Sequence, residues 1–199
     1  MKLLKPKLVI VTGLSGSGKS IALRSLEDLG YFCIDNLSPT MIIKILGVIK
    51  KSNKKVYRKV AISIDIRSIK MDSDHQKSIA TLYAELLKLD FKSTTIFLHS
   101  STKILLSRFN ATRRLHPLTN NKIDLRTAIS KEAEVMQKLK ENSNLIIDTD
   151  KLLPLDLKKE IASKISIIKN NKDMLIQLQS FGYKNSIPNE SDFVFDVRC

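Results

Sequence analysis

At 199 residues, 43% hydrophobic and 27% charged, the chain has the composition of an ordinary globular protein: one domain, with room for a fragment of a second. Cys33 and Cys199 lie far apart with no C-x-x-C spacing, which excludes a zinc or disulfide framework and suits a reducing cytoplasm, and no window approaches the length of a membrane span. The net charge of +14 favours polyanions such as nucleotides, RNA or acidic protein surfaces, or else describes a scattered, lysine-rich solvated face.

In chain order, Met1 to Val11 place lysines ahead of an apolar run that is too short for a signal peptide and has no cleavage site. Leu8, Val9, Ile10 and Val11 predict a first buried strand. Gly13, Leu14, Ser15, Gly16, Ser17, Gly18, Lys19 and Ser20 then fit G-x-x-x-x-G-K-[ST] at every fixed position. A polyphosphate has to be gripped by backbone N–H groups, and closely spaced glycines let the backbone bend around it. Ile21, Ala22, Leu23, Leu26 and Leu29 recur at helical spacing, so the phosphates would meet the partial positive charge of a helix N-terminus. Lys19 adds a charge at the β- and γ-phosphates, and Ser20 offers a hydroxyl to Mg2+. The alternative is a glycine turn that binds nothing; the complete motif between a strand and a helix favours nucleotide binding.

Gly30 predicts the end of the first helix, and Tyr31, Phe32, Cys33 and Ile34 a second short strand ending at Asp35. Asp35 either faces a ligand beyond the strand ends or caps the helix predicted over 41–50. Residues 56–66 predict a third strand with Asp65 at its end and Arg67 and Ser68 after it. A P-loop protein uses an acid there to hold the magnesium shell or polarise a water, although many surface strands also end in Asp. Asp72, Ser73 and Asp74 predict the start of a helix over 76–88 with the stripe Ile79, Leu82, Leu86 and Leu87. Residues 94–98 predict a fourth strand, and His99, which ends it, is left unassigned.

Arg108, Arg113 and Arg114 precede Pro117 near a helix end. They predict either a mobile lid that sets guanidinium groups on phosphate oxygens or a basic, exposed helix terminus. A helix follows over 124–141, with Ile129, Ala133, Met136 and Leu139 on one face. A fifth strand over 145–147 ends at Asp148, and Pro154 opens a last helix over 155–168. This alternation predicts an α/β fold: a doubly wound parallel sheet of P-loop NTPase or kinase type over residues 1–171. Residues 172–199, with strands at 174–178 and 193–197, predict a short stub of a second domain.

The chain resembles the RapZ/YvcJ family of P-loop nucleotide-binding proteins. The resemblance is carried by Gly13 to Ser20, by ALRSLEDLG from Ala22 to Gly30, by YFCIDNL from Tyr31 to Leu37 and by SIDIRS from Ser63 to Ser68. It continues in TRRLHPL from Thr112 to Leu118, IIDT from Ile146 to Thr149, SFGYK from Ser180 to Lys184 and FVFDVR from Phe193 to Arg198. It implies an ATP site at Gly13 to Ser20, a GTP segment at Asp65, Ile66, Arg67 and Ser68, and both ATPase and GTPase activity. For RapZ-like members it also implies presentation of a small regulatory RNA to an endoribonuclease, controlling amino-sugar synthesis. Two departures stand out. His99 replaces a common acid, and the chain stops one residue after Arg198, where the family continues into a C-terminal sensor and RNA-binding domain. The second departure counts against an RNA adapter role for these 199 residues.

The preferred function is a regulatory NTPase of low turnover in the cytoplasm, forming a homo-oligomer. Lys19, the loop amides and Mg2+ would hold the phosphates, Ser20 and Asp65 would organise the metal or a water, and Arg113 or Arg114 would neutralise the γ-phosphate. A small-molecule or nucleotide kinase is the alternative, with Asp35 facing an acceptor hydroxyl. A non-enzymatic RNA-binding module has only the charge in its favour, because the aromatic residues form no basic stacking cluster.

Overall fold

The computed structural model describes residues 5–169, apart from 53, 71–73 and 90, together with residue 195. Its first strand, β1 (Lys7–Gly13), is buried at every residue after Lys7 because it lies third of five in an all-parallel sheet. The other strands are β2 (Phe32–Ile34), β3 (Lys59–Ile64), β4 (Lys92–His99) and β5 (Leu145–Asp148), in the order β2-β3-β1-β4-β5. Seven helices connect or follow the strands among the described residues: α1 (Lys19–Asp28), α2 (Pro39–Lys51), α3 (Ile66–Lys70), α4 (His75–Lys88), α5 (Thr102–Thr112), α6 (Leu125–Glu141) and α7 (Pro154–Lys169).

Strand alternation divides the apolar residues into two layers. Val9, Val11, Ala61, Ile96, Leu98 and Ile147 pack with Ala22 and Leu26 of α1 and with Leu157 and Ile161 of α7. Leu8, Ile10, Val60, Ile62, Ile64 and Phe97 face the opposite way, onto Leu46 of α2, Leu82 of α4, Leu105 of α5 and Met136 of α6. Each fully buried Leu or Ile contributes about 1.5–3 kcal/mol, so the sheet centre is the most stable part of the fold. The strand order reverses between β1 and its neighbours β3 and β4, so the turn after β1 opens onto the crevice at the C-terminal strand ends.

The doubly wound sheet agrees with the alternation in the sequence, but three local expectations change. Residues 56–66 do not form one strand: Lys55–Arg58 is a 3-10 turn, β3 covers Lys59–Ile64, and Ile66 opens α3. The break follows Asp65, whose carboxylate accepts the N–H groups of Arg67 and Ser68 and so starts a helix. Leu87 is 87% exposed, because Ile79, Leu82 and Leu86 already occupy the inward face of α4. The helix over 124–141 is present, but Ala133 is exposed and Glu132 takes the buried position. The segment 172–199, with its expected strands at 174–178 and 193–197, lies outside the described residues, residue 195 aside. No helix among the described residues is long and apolar enough to cross a membrane.

Candidate functional site

β1 delivers the chain to Gly13, and residues 14–18 turn it into α1. Gly18 is the N-cap of α1 with φ +105°, a conformation open to glycine, and no side chain caps the helix. Among the described residues, no protein acceptor meets the N–H groups of Gly16, Gly18, Lys19 and Ser20. The Ser17 hydroxyl is fully buried and also has no partner. The buried Ser17 hydroxyl is costly without a partner, and the more open amides beside it at a helix start are suited to an anion that completes them.

Lys19 curls over the same turn, its Nζ donating to Gly13 O at 2.9 Å and Leu14 O at 3.0 Å. Burial pushes its ammonium below the ordinary value of 10.5, and the charges of Glu132, Asp65 and Asp35 counter that effect. Arg108 steadies the loop from α5: its Nη1 donates to Gly16 O and to the Thr149 hydroxyl, both at 3.1 Å, and its Nη2 to Thr149 O. The 13–20 loop is therefore tied to the strand end at Thr149.

Glu132 was not legible as a site residue. It projects from α6 with no solvent exposure, accepts the Ser15 N–H at 2.9 Å and the Ser15 hydroxyl at 2.7 Å, and lies 3.0 Å from His116 Nε2. The signal that could have found it is an acid at the inward position of the stripe Ile129, Met136 and Leu139.

The loop forms one wall of an open cleft of about 530 Å³. Ser20, Lys19, Arg67, Arg108 and Arg114 line it together with Asp35, Asp65, Thr149 and the apolar Leu152, Leu153, Pro154 and Leu157. Four cationic side chains against two carboxylates leave the cleft electropositive, which favours an anionic ligand. Asp35 lines the cleft, while the capping of α2 falls to Ser38, whose hydroxyl accepts the Met41 N–H. Arg114 reaches the cleft; Arg113 does not line it and instead closes α5 with φ +52°. His99 serves through its backbone, its carbonyl accepting the N–H and hydroxyl of Thr149.

Of the 65–68 segment, only Asp65 and Arg67 line the cleft. Ile66 and Ser68 are fully buried, and the Ser68 hydroxyl donates to Asp65 O at 2.8 Å to close the turn. Asp65 spends both carboxylate oxygens: Oδ1 accepts the amides of Arg67 and Ser68, and Oδ2 accepts Arg67 Nε at 3.1 Å and Nη2 at 2.8 Å. Burial would raise this carboxyl, but the bonds from Arg67 and Ser68 and the charges of Lys19 and Arg67 hold it below 3.8. Its contribution to stability is therefore fully present above the ordinary carboxylate value and lost as pH falls through the lower folded value. Asp65→Asn is expected to lower the urea midpoint at pH 7 and to flatten its fall between pH 4 and pH 2. An acid limb unchanged in the variant would show that the Asp65–Arg67 pair does not contribute.

Among the described residues, no group of three His, Cys, Asp or Glu side chains comes together as a metal site. A magnesium ion brought in on phosphate oxygens needs only one or two protein ligands, and Ser20, Asp35 and Asp65 line the same cleft.

A family model for the RapZ-like N-terminal domain matches residues 6–169. A protein of Shewanella baltica strain OS155 named "Nucleotide-binding protein" is 43% identical over 193 residues, which cover 96% of this chain and 64% of that protein. The chain thus spans less than two thirds of that relative's length. Among solved structures, shikimate kinase from Bacteroides thetaiotaomicron aligns with a TM-score of 0.52 at 14% identity, covering 82% of this chain and 98% of the kinase. A gluconokinase from Sinorhizobium meliloti 1021 aligns with a TM-score of 0.52 at 18% identity, covering 82% of this chain and 93% of that one. At such identities the likeness is one of fold: a five-stranded parallel sheet of P-loop kinase type. With its 6–169 region matched end to end, the chain belongs to the family defined by the RapZ-like N-terminal domain.

Proposed function

We propose that the chain binds ATP or GTP with the 13–20 loop and hydrolyses it slowly. The observation that carries this reading is the set of donors without acceptors at the start of α1: four loop amides and the buried Ser17 hydroxyl, in a cleft with surplus positive charge. The amides and Lys19 grip the β- and γ-phosphates. Arg114, the cleft-lining member of the Arg113 and Arg114 pair, neutralises charge developing on the γ-phosphate. Ser20 would hold Mg2+ directly and Asp65, its oxygens bonded to Arg67 and Ser68, would organise a water beside it, and the ion would supply charge neutralisation across the phosphate oxygens. The apolar wall of Leu152, Leu153 and Pro154 receives the base, and Asp65 and Arg67 are the groups of the 65–68 segment open to a guanine nucleotide.

A second reading has one observation in its favour. Asp35 is exposed, lines the cleft and caps no helix, so it is available to orient an acceptor hydroxyl in a small-molecule or nucleotide kinase. The family resemblance also implies a regulatory role toward a small RNA and an endoribonuclease in a cytoplasmic homo-oligomer; of this setting, the net charge of +14 suits only the polyanionic partner.

Titration of the chain with fluorescent ATP and GTP, with and without Mg2+, followed by measurement of phosphate release, tests the reading. Saturable, Mg2+-dependent binding with slow release that ignores added acceptors is the expected result. ADP formation that rises with hydroxylated acceptors would move the assignment to a kinase, and absence of binding at millimolar nucleotide would remove both.

A further inference from the structure

Neither the phosphate grip nor the cleft lining makes direct use of the buried Glu132. We propose that Glu132 and His116 are positioning residues that join the cleft-facing Arg114 to the phosphate loop, so that recognition of a terminal phosphate depends on both; this rests on the nucleotide reading above. Glu132 has no exposure and His116 only 2%. A carboxylate this deep is costly unless its lone pairs are taken up. Here Oε1 accepts the Ser15 hydroxyl at 2.7 Å, while Oε2 accepts the Ser15 N–H at 2.9 Å and meets His116 Nε2 at 3.0 Å. On the far side of the ring, the Leu118 N–H donates to Nδ1 at 3.1 Å. That bond puts the ring proton on Nε2, which donates it to Glu132.

The two halves of the cleft meet at this carboxylate. On the loop side, Glu132 draws the Ser15 N–H away from the cleft, and the next residues carry the donors that lack acceptors. On the other side, α5 ends at Arg113, in the left-handed conformation with φ +52°, and the arm after it is held at His116. Phe109 packs against the His116 ring with centroids 5.2 Å apart, and the His116 carbonyl accepts the N–H and hydroxyl of Thr119. Only Arg114 and Leu115 lie between this helix end and His116, and both line the cleft. A two-residue bridge has little freedom of its own, so the starting point of the Arg114 side chain is set by where Glu132 holds His116.

A double-mutant cycle tests this in the full chain, with the preference for ATP over ADP read by fluorescence titration. Glu132→Leu keeps most of the volume but removes both acceptor oxygens, leaving the Ser15 N–H and the His116 ring proton without them, whereas Glu132→Gln can turn its NH2 to the Ser15 hydroxyl and keep all three contacts. Arg114→Ala is expected to lower the ATP preference about tenfold in the unmodified chain and in Glu132→Gln, and less than about twofold in the Glu132→Leu background. His116→Gln, whose amide can still donate to Glu132, is expected to retain most of the preference. Equal effects of Arg114→Ala in the unmodified chain and in Glu132→Leu would overturn the proposal, because a residue that only stabilises the core leaves the two losses additive. Melting curves report folding, and if Glu132→Leu does not fold, the same cycle is run with His116→Ala. If the unmodified chain binds neither nucleotide, the proposed function fails first; if it binds both and the cycle is additive, only the coupling fails.

Discussion

Lys19→Ala is expected to lower affinity for Mg·ATP and Mg·GTP at least about a hundredfold, on the order of 3 kcal/mol, while shifting the melting temperature by only a few degrees. The split follows from what the side chain touches. Nζ bonds to Gly13 O and Leu14 O, two carbonyls of the turn itself, and among the described residues no other side chain depends on it for a hydrogen bond. In the proposed complex the same ammonium supplies charge-assisted bonds to phosphate oxygens, each worth about 1.5–3 kcal/mol. Three carboxylates, Glu132, Asp65 and Asp35, act on this one cation, so removing it also lowers the positive charge that faces the ligand. Lys19→Arg is expected to recover little, since a planar fork does not fit a turn shaped around a compact ammonium. Isothermal titration of both variants checks the prediction. Retention of wild-type affinity in Lys19→Ala would remove the 13–20 loop from the binding account altogether.

The legible parts of this molecule were those in which short-range chemistry and long-range packing agree. β-branched residues before a glycine turn and an amphipathic helix after it gave away β1, the loop and α1, because each is set by residues adjacent in sequence. The parallel sheet followed from the regular exchange of strand and helix patterns. Glu132 was hidden for the opposite reason. Its partners Ser15 and His116 are 117 and 16 residues away, and an acid within an apolar stripe is ordinarily read as a solvated residue. Ala133, next to it, has the spacing of an inward position and is exposed. The end of β3 departs from its sequence pattern because Asp65 does two things at once, following the strand and capping α3 through the amides of Arg67 and Ser68. Of the arginines before Pro117, sequence spacing could not separate Arg108, fixed to Gly16 and Thr149, from Arg113, which closes a helix, or Arg114, which meets the cleft. Those differences depend on the helical phase of α5 and on a single left-handed residue.

Gly13→Ala is the substitution expected to damage the fold most, by about 3 kcal/mol or more, read as a lower urea midpoint at unchanged slope. Gly13 has φ +141°, where an L side chain is strained. A Cβ built there would lie 2.2 Å from Leu98 O and 2.8 Å from Leu98 N. These are backbone atoms of β4, paired in register with Gly13 and held by a fully buried Leu98. No rotamer change relieves the clash; the β1–β4 ladder itself has to open, at the centre of the sheet. Gly16, also at positive φ (+85°) and so strained by any L side chain, differs in its neighbours: the nearest atoms to its added Cβ belong to the side chains of Phe109 and Leu105, at 3.3 and 3.4 Å. Gly47, inside α2 with nothing within 4 Å, provides the control: Ala there is expected to raise stability by up to about 1 kcal/mol. Equal midpoints for Gly13→Ala and Gly47→Ala would mean that β1 and β4 do not approach as closely as the structure has them. The turn between β1 and α1 would then lose the support that aims its free amides into the cleft.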